Sequence, residues 1–365
     1  MKLNILIPMA GKNTFNVTNN NAFPKVLTDV NGKLLIERSS ESFTTLPYNK
    51  KIIVAVPKNQ ISDYKLDKVL PLLDESIEIC AINDETQGAV CSAMLAIEHL
   101  GLDEPLIISS FEQVLDLDLA PFIDKFISEE VDAGVLTFES IHPKWSFVKR
   151  DDNGVVSQAA EKYPISKHAI AGFYFFKNAR IFIESAKNMI RNDVKYNELF
   201  YISHTLNEVI LNKGKVLALP IDKSQYFHIN DEHSLEHYGE QLNVVNSNVN
   251  QSIYSRTLDY IQAFDGRSIS CVAEFFSDEF ILNDPSVNIK GKSKVLAYIS
   301  DLFEANVSLQ FKSNNILVDR QRSVVEFELT LGDAVLIGTD VILWDNDNKM
   351  ISMNAYLHEK NNGQN

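Results

Sequence analysis

Apolar residues in the first half of the chain fall into two alternating patterns, short continuous runs and longer segments with helical spacing. The runs are rich in Ile, Leu and Val and predict strands at residues 3–9, 51–56, 77–82 and 106–109. Helical spacing occurs between them, at residues 35–44, 61–73 and 89–100. This alternation predicts an α/β fold whose mainly parallel sheet is covered by helices on both faces. Ligands bind beyond the carboxyl ends of such strands, which makes the loops after Met9, at Gln87-Gly88 and after Ser109 candidate positions.

The pattern changes further along the chain. Residues 133–238 mix both periods, with predicted strands at 134–138, 173–176 and 216–220 and a predicted helix at 181–190. Segment 243–252 is rich in Asn and Ser and predicts a linker, with a domain boundary near residue 248. Predicted helices at 253–264, 268–275 and 291–305 then precede strands at 309–317, 324–331, 334–343 and 350–357. We therefore expect domains at residues 1–245 and 253–360, the second an α+β domain with a curved sheet over helices.

The acidic balance of the chain limits its partners. Lys and Arg number 34 against 49 Asp and Glu, a formal net charge of −15. Such a chain repels phosphate backbones and anionic membranes, so we expect no nucleic-acid partner and no membrane insertion, although a local cluster of Lys and backbone N–H groups can still bind a nucleotide. The three cysteines are widely separated, and no apolar run approaches the length of a membrane-spanning helix. These features predict a cytoplasmic protein.

The loop after the first predicted strand contains the small residues Ala10 and Gly11, followed by Lys12. A small-residue loop after a strand exposes backbone N–H groups that can hold phosphate oxygens. Lys25 follows shortly afterwards and can neutralise their charge. Taken alone, this pattern also fits an ordinary surface loop with a solvated lysine.

Five short segments lie in a characteristic order: Met9-Ala10-Gly11-Lys12, Phe23-Pro24-Lys25-Val26-Leu27, Thr86-Gln87-Gly88-Ala89, His142-Pro143-Lys144-Trp145-Ser146 and Glu161-Lys162-Tyr163-Pro164-Ile165-Ser166. Together they resemble the sugar-phosphate nucleotidyltransferase family, of the glucose-1-phosphate thymidylyltransferase type, over about residues 1–240. The resemblance implies a Rossmann-like sheet and a reaction that joins an NTP to a sugar phosphate or similar phosphorylated small molecule and releases pyrophosphate. It also implies Mg²⁺ as the cofactor and a role in nucleotide-sugar and capsular, or other surface, polysaccharide synthesis.

The resemblance implies a role for each matching residue. Lys25 and Lys162 take the catalytic positions on phosphates, and Glu112 takes the position of a metal ligand. The implied nucleotide-binding residues are Ala10, Gly11, Lys12, Gln87 and Gly88. The implied sugar-phosphate-binding residues are Glu161, Lys162 and Gly172. The alternatives are an exposed charge pair for Glu161-Lys162 and a structural role for Glu112.

Several departures from the family pattern fall on the chemistry. Asn13 and Phe15 replace a glycine and an arginine that contact the triphosphate, and phenylalanine has no charge or hydrogen-bond donor. Glu112 replaces an aspartate, and His228 lies where many members have a second metal ligand, although a neutral imidazole binds Mg²⁺ poorly. The sequence therefore predicts a nucleotidyltransferase of weakened activity. The alternative is a catalytically degenerate protein that binds a sugar phosphate or nucleotide sugar and regulates or scaffolds the assembly of surface polysaccharide.

Residues 253–360 resemble the SnoaL or NTF2-like fold, a cone of curved sheet around helices. The residues that carry this resemblance are Tyr260–Phe264, Val272–Asp278, Asn283-Asp284-Pro285, Ile289–Lys294, Trp344 and Tyr356. Some relatives use an aspartate at the position of Asp284 as a base inside an apolar cone, and the alternative is that Asp284 caps a turn. Apolar strand residues that point away from the cone predict a homodimer formed through this sheet.

Overall fold

The chain forms two units, Met1–Gly239 and Glu240–Asn365, and each has the class of fold that the apolar pattern predicts. A computed structural model describes residues 2–9, 24–83 and 86–360. The nucleotide-binding residues implied at Ala10, Gly11 and Lys12, and the departures at Asn13 and Phe15, lie outside the described residues. Within the described ranges, no helix is long and apolar enough to span a bilayer.

The first unit contains short strands and helices in alternation. Its strands are β1 (Lys2–Pro8), β2 (Asp29–Val30), β3 (Lys33–Leu34), β4 (Asn49–Pro57), β5 (Ile77–Ile82), β6 (Leu106–Ile108), β7 (Gln113–Leu115), β8 (Ala133–Glu139), β9 (Ser146–Arg150), β10 (Val156–Glu161), β11 (His168–Phe176), β12 (Val216–Pro220) and β13 (Tyr226–His228). Its helices are α1 (Leu35–Thr44), α2 (Lys58–Tyr64), α3 (Leu66–Val69), α4 (Ala89–Leu95), α5 (Ala120–Ser128), α6 (Ala179–Arg191) and α7 (Ile202–Leu211).

The main sheet of this unit is parallel at its centre and antiparallel towards one side. The order is β10-β9-β11-β6-β1-β4-β5, in which β1 pairs in parallel with β4 and β6, and β4 pairs in parallel with β5. Strand β11 is antiparallel to β6 and also pairs with β8, which β12 joins in parallel. The carboxyl ends of β1 and β6 lie side by side, so the loops after Met9 and Ser109 leave the sheet at the same edge.

Helices cover both faces of this sheet, because both faces of its central strands are apolar. In β1, Leu3, Ile5 and Ile7 pack into one hydrophobic core, and Leu6 packs into another on the opposite face. Burial on both faces produces the continuous apolar runs that predict parallel strands. The predicted helix at 61–73 is wrong in detail: Lys65 has a φ of 54° and separates α2 from α3, and a 3₁₀ turn at Leu70–Leu72 follows.

The second unit consists of helices α8 (Glu232–Asp265, from Glu240 onwards), α9 (Ile269–Ala273) and α10 (Lys292–Ala305) and a curved sheet. The sheet contains β14 (Phe276–Asn283), β15 (Asn288–Lys290), β16 (Gln310–Asp319), β17 (Arg322–Leu331), β18 (Ala334–Trp344) and β19 (Met350–Glu359). Their order is β15-β14-β19-β18-β17-β16, and the four strands from β16 to β19 are antiparallel neighbours. One core lies between the helices and the sheet, as the α+β prediction requires.

The predicted linker at residues 243–252 is instead the middle of α8. Val249 packs against the core of the second unit, and Ile253 is fully buried in that core. The apolar face of the helix therefore extends back into this segment. Asn250 also accepts a hydrogen bond from the backbone N–H of Arg320 (2.6 Å), and Asn348 donates one to Ser252 (3.3 Å). Tertiary packing of this kind outweighs the low helix propensity of Asn and Ser.

Candidate functional site

Two cavities adjoin at the carboxyl edge of the parallel strands. The first, of about 550 Å³, is lined by residues that include Gly88, Ser109 and Glu112. The second, of about 430 Å³, is lined by residues that include Trp145, Glu161 and Lys162. The lining residues common to both are Gln113, Gly172, Tyr174 and Tyr201. These four residues form a shared wall, so a ligand in one cavity lies next to a ligand in the other.

Lys25 and Glu112 form an ion pair at the edge of the first cavity. Lys25 begins a 3₁₀ turn directly after Pro24, and its Nζ lies 2.8 Å from Oε1 of Glu112. The Lys25 side chain is 5% exposed, whereas that of Glu112 is 37% exposed and lines the first cavity. A buried ammonium group is stable only beside an opposite charge, which the Glu112 carboxylate supplies at the cavity surface. The segments around Lys25 and Glu112, which the resemblance connects, therefore meet in space.

The shared wall is held by the buried amide of Gln113. Its Nε2 donates hydrogen bonds to Ser109 Oγ and to the carbonyl oxygen of Gly172, both at 2.9 Å, and its Oε1 accepts one from the Tyr226 hydroxyl at 3.2 Å. Gly172 has a φ of 61°, and a Cβ there would lie only 1.9 Å from Gln113 Oε1. Gly172, implied by the resemblance as a sugar-phosphate residue, is thus required by both backbone conformation and space.

Glu161 is a buried carboxyl group in the second cavity. It accepts hydrogen bonds from the hydroxyls of Ser146 and Ser203, the latter at 2.7 Å. Burial raises the pKa of Glu161, and the two serine hydroxyls and the charge of Lys162 oppose that effect. Because both serines donate to one of its oxygens, Oε2, the orientation of the carboxyl group is fixed.

Lys162 follows Glu161 and supplies positive charge to the second cavity. Its backbone adopts the left-handed conformation (φ 51°), which turns the side chain towards two tyrosines. The Nζ atom donates to the Tyr201 hydroxyl at 3.3 Å and lies 5.2 Å and 5.7 Å from the ring centres of Tyr201 and Tyr196. Lys144, which is exposed, lies over the ring of Trp145 at the same cavity. The second cavity therefore combines cationic groups with aromatic surface.

His228 packs edge-on against Trp145, with ring centres 5.4 Å apart, and its Nδ1 is 3.3 Å from Asn230 Oδ1. Burial lowers the pKa of His228, and the charge of Glu112 only partly opposes this. The imidazole is therefore neutral at pH 7. Among the described residues, no three His, Cys, Asp or Glu side chains are clustered as metal ligands. Glu112 is the one carboxylate that the described lining of the first cavity offers to a cation.

Gln87 and Gly88 directly precede α4. The backbone N–H of Phe200 donates to the carbonyl oxygen of Gln87 (2.8 Å), and Val90 donates back to Phe200 (3.2 Å). Gly88 has a φ of 104°, and a Cβ there would lie 2.6 Å from the Phe200 carbonyl oxygen. Gly88 lines the cavity, whereas the Gln87 side chain is exposed. Glycine is thus required at this position, because a Cβ would strike the backbone of Phe200.

Asp284, the site residue expected in the second unit, both caps a turn and lines a third cavity. Its Oδ1 accepts hydrogen bonds from the backbone N–H groups of Ser286 (2.7 Å) and Val287 (2.8 Å) and from the Ser286 hydroxyl (2.8 Å). Its Oδ2 accepts one from the Tyr298 hydroxyl at 3.2 Å. Asp284 thus caps the turn, and the base role that the resemblance implies for it stays a prediction.

Sequence reasoning did not find Gln113, Ser203 or Tyr201. Gln113 and Ser203 are buried polar residues, a combination that usually marks a hydrogen-bond network, but their partners are distant in sequence. Tyr201 directly precedes α7 and Ser203 lies in its first turn, and the apolar pattern did not distinguish this helix from its surroundings. The nearest signal was the loop after Ser109, which leads directly to Gln113 at the start of β7.

Comparison with known proteins bears on both units. The SnoaL-like domain family matches residues 257–349. No curated protein sequence matches the chain. A nucleoside-diphosphate-sugar pyrophosphorylase from Vibrio cholerae RC9 is similar in structure, with a TM-score of 0.54 and 20% identity over 66% of this chain and 100% of that one.

Two further solved structures are similar over the same part of the chain. A UDP-glucose pyrophosphorylase complexed with UDP-glucose has a TM-score of 0.54 and 14% identity over 67% of this chain and 99% of that one. A UDP-glucose pyrophosphorylase from Acinetobacter baumanii has a TM-score of 0.51 and 15% identity over 66% of this chain and 92% of that one. Identities at this level show the fold alone. The chain therefore joins a unit with the fold of the sugar nucleotidyltransferases to a SnoaL-like domain.

Proposed function

We propose that the first unit is a nucleotidyltransferase that transfers a nucleotidyl group from an NTP to a sugar phosphate or a similar phosphorylated small molecule. The observation that carries the proposal is the pair of adjoining cavities with one shared wall at the carboxyl edge of the parallel strands. A transfer reaction needs two ligands held side by side with their reacting atoms together. The fold shared with sugar nucleotidyltransferases supports the same assignment.

The first cavity suits the NTP. Gly88 lines it at the position that the resemblance assigns to nucleotide binding, and Glu112 lines it where the triphosphate would extend. Mg²⁺ is commonly held by one or two protein carboxylates together with substrate phosphates, and Glu112 is an oxygen ligand of that kind. Bound there, the ion would neutralise charge on the phosphates. Lys25 fixes the Glu112 carboxylate in place and adds positive charge behind it.

The second cavity suits the phosphorylated acceptor. Lys162 and Lys144 supply charge for its phosphate, and Trp145 and Tyr226 supply flat apolar surface for a sugar ring or similar group. Glu161, oriented by Ser146 and Ser203, accepts hydrogen bonds from ligand hydroxyls. An acceptor phosphate oxygen would attack the α-phosphorus of the NTP in line, forming one P–O bond as the bond to pyrophosphate breaks. Positioning and charge neutralisation account for the catalysis.

A catalytically degenerate binding protein of nucleotide-sugar or capsular polysaccharide synthesis is the second candidate. The neutral, half-buried imidazole of His228 favours it, because this group adds neither charge nor an oxygen ligand near Glu112. Such a protein would retain the acceptor contacts of Lys162 and Glu161 and lack turnover. The two candidates therefore differ in pyrophosphate release and agree in ligand binding.

Pyrophosphate release from each common NTP, paired with a panel of sugar phosphates and Mg²⁺, tests the proposal. We expect one pair to give turnover that Glu112→Gln reduces and Glu75→Gln, a control at an exposed carboxylate, does not. No release from any pair, together with calorimetric binding of a sugar phosphate, would establish the binding protein instead. The absence of both pyrophosphate release and sugar-phosphate binding would refute both candidates.

A further inference from the structure

Lys162 is held at the second cavity by aromatic rings instead of an ion pair. Its Nζ atom lies over the rings of Tyr201 and Tyr196, with the ring centres 5.2 Å and 5.7 Å away, and donates one hydrogen bond to the Tyr201 hydroxyl. Lys25 pairs with Glu112 at 2.8 Å, whereas Lys162 forms no ion pair with the described residues. The two lysines that the resemblance places on phosphates therefore differ in how they are held.

The aromatic contacts leave the charge of Lys162 available to a ligand. A ring attracts a cation through its quadrupole and carries no net charge, so it places an ammonium group without neutralising it. The neighbouring carboxyl group of Glu161 accepts its hydrogen bonds from Ser146 and Ser203. An anion that enters the second cavity therefore meets an ammonium group that is already in position.

Tyr196 contacts Lys162 from outside the two cavities. It is half-buried and is not among the described residues that line either cavity. Its ring packs edge-on against that of Tyr201, with the ring centres 6.3 Å apart. Tyr201 lines both cavities and can touch a ligand directly. Tyr196 can act on a ligand only through the side chains that it contacts.

A tight turn fixes the position of Tyr196. The backbone N–H of Tyr196 donates to the carbonyl oxygen of Leu199, and the N–H of Leu199 donates to that of Tyr196, both at 3.0 Å. Asn197 and Glu198, between them, have φ values of 45° and 62°, the left-handed pair that a two-residue hairpin turn requires. The Nζ atom of Lys195 lies 2.9 Å from a carboxylate oxygen of Glu198 and braces the turn. Left-handed backbone without glycine is unfavourable and persists where the surroundings hold it.

We propose that Tyr196 is a positioning residue for the phosphate of the acceptor, because its ring, together with that of Tyr201, holds the Lys162 ammonium group at the second cavity without neutralising it. The inference rests on the proposed function, since it takes the acceptor phosphate as the anion that Lys162 meets. A lysine side chain that is already ordered loses less conformational freedom when it binds a phosphate, so the charge-assisted contact is stronger. Tyr196 therefore strengthens acceptor binding without touching the acceptor.

NMR of the full chain with lysine labelled by ¹³C at Cε reports on the placement of Lys162, whose signal is the one that Lys162→Arg removes. We expect its Hε protons to be shifted upfield, because the side chain lies over two aromatic rings. Tyr196→Phe keeps the ring and should keep this shift, whereas Tyr196→Leu should reduce it. Tyr254→Leu, at an exposed tyrosine of the second unit, should leave it as in the unaltered protein.

Calorimetry with glucose 1-phosphate as the probe measures what this placement contributes to binding. Tyr196→Leu should weaken the affinity by about three- to fivefold, the value of one cation–π contact. Tyr196→Phe should restore it. In a chain that already carries Lys162→Met, Tyr196→Leu should have no further effect, because the ammonium group that Tyr196 holds is absent.

The proposal is wrong if Tyr196→Leu leaves the Lys162 signal, or a measurable affinity for glucose 1-phosphate, unchanged. It is also wrong if Tyr196→Phe is impaired as much as Tyr196→Leu, or if Tyr196→Leu weakens binding equally when Lys162 is methionine. A Lys162 signal that depends on Tyr196, in protein that binds neither glucose 1-phosphate nor inorganic phosphate, would support the placement of Lys162 and would refute the acceptor site of the proposed function instead.

Discussion

Replacing Gly172 by alanine should destabilise the first unit because two independent effects add. Gly172 has a φ of 61°, and the left-handed conformation costs a residue with a Cβ about 1–2 kcal/mol. The new Cβ would also lie 1.9 Å from Gln113 Oε1 and 2.7 Å from its Cδ, so the amide must move. Its three hydrogen bonds, to Ser109, Gly172 and Tyr226, are each worth about 1 kcal/mol. We expect Gly172→Ala to lower the free energy of unfolding by about 4 kcal/mol.

Gly32 provides the matched control. It has a φ of 77°, and a Cβ there would meet no atom within 4 Å. Gly32→Ala should therefore cost only the conformational strain, about 1–2 kcal/mol. Urea unfolding can be followed by ¹⁹F NMR of protein labelled with 5-fluorotryptophan, because the two tryptophans, Trp145 and Trp344, report on different units.

A double variant separates the clash from the strain. Gln113→Ala removes the side chain that the new Cβ would strike, so adding Gly172→Ala to it should cost no more than Gly32→Ala does. The two substitutions should thus be non-additive by about 2–3 kcal/mol. If Gly172→Ala costs no more than Gly32→Ala, or if the double variant is additive, the Gln113 amide does not depend on this glycine and our reasoning about the shared wall is wrong.

Four further predictions address binding, turnover, assembly and pH. Lys162→Met should weaken binding of the best sugar phosphate, measured by calorimetry, by about tenfold or more, because a charge-assisted contact is lost. Lys177→Met, at an exposed lysine, should leave the affinity unchanged. Equal losses of affinity in the two variants would refute the assignment. Phe15→Arg should raise the rate of pyrophosphate release by up to about 10²-fold by restoring a donor to the triphosphate, and a flat rate in a folded variant would show that Phe15 is not the defect. The full chain should be a dimer by light scattering. Leu317 and Tyr356 are apolar side chains of the sheet that are 58% and 63% exposed, and replacing both by glutamate should make the chain monomeric. A dimer that survives both changes would place the interface elsewhere. Burial raises the pKa of the Asp340 carboxyl group to about 7 in the folded protein, whereas in the unfolded chain this group loses its proton near pH 3.8. Rising pH should therefore reduce the free energy of unfolding across this window, by at most about 4 kcal/mol. Urea unfolding of Asp340→Asn should lack that reduction.

The fold could largely be predicted because its strands and helices differ in apolar period. The strand predicted at residues 77–82 and the helix predicted at 35–44 have those same bounds in the structure, and each buries a continuous run or one regular face. The linker at 243–252 was wrong because local composition is a weak guide when distant residues supply the packing. Val249 and Ile253 belong to a core formed largely by residues that follow them. No local pattern reports such contacts.

The candidate site could be predicted only where its residues form contiguous motifs. Glu161 and Lys162 were found together because they are adjacent, and the structure places both at the second cavity. Gln113 was missed because its amide bonds to a partner more than fifty residues away, the carbonyl oxygen of Gly172. A single polar residue in an apolar strand does not by itself distinguish a site from a solvated face. Burial, which only the structure shows, makes that distinction.

The amide of Gln113 has a consequence for how the two ligand sites can evolve. This side chain borders both cavities, and its three hydrogen bonds fix its position. A substitution there that admits a bulkier ligand to the second cavity also changes the wall of the first, where we place the nucleotide, so the two specificities are inherited together. New acceptors are therefore more accessible through changes at Trp145, which borders only the second cavity of the two, than through Gln113. Diversification at this edge of the sheet should begin on the side away from the nucleotide.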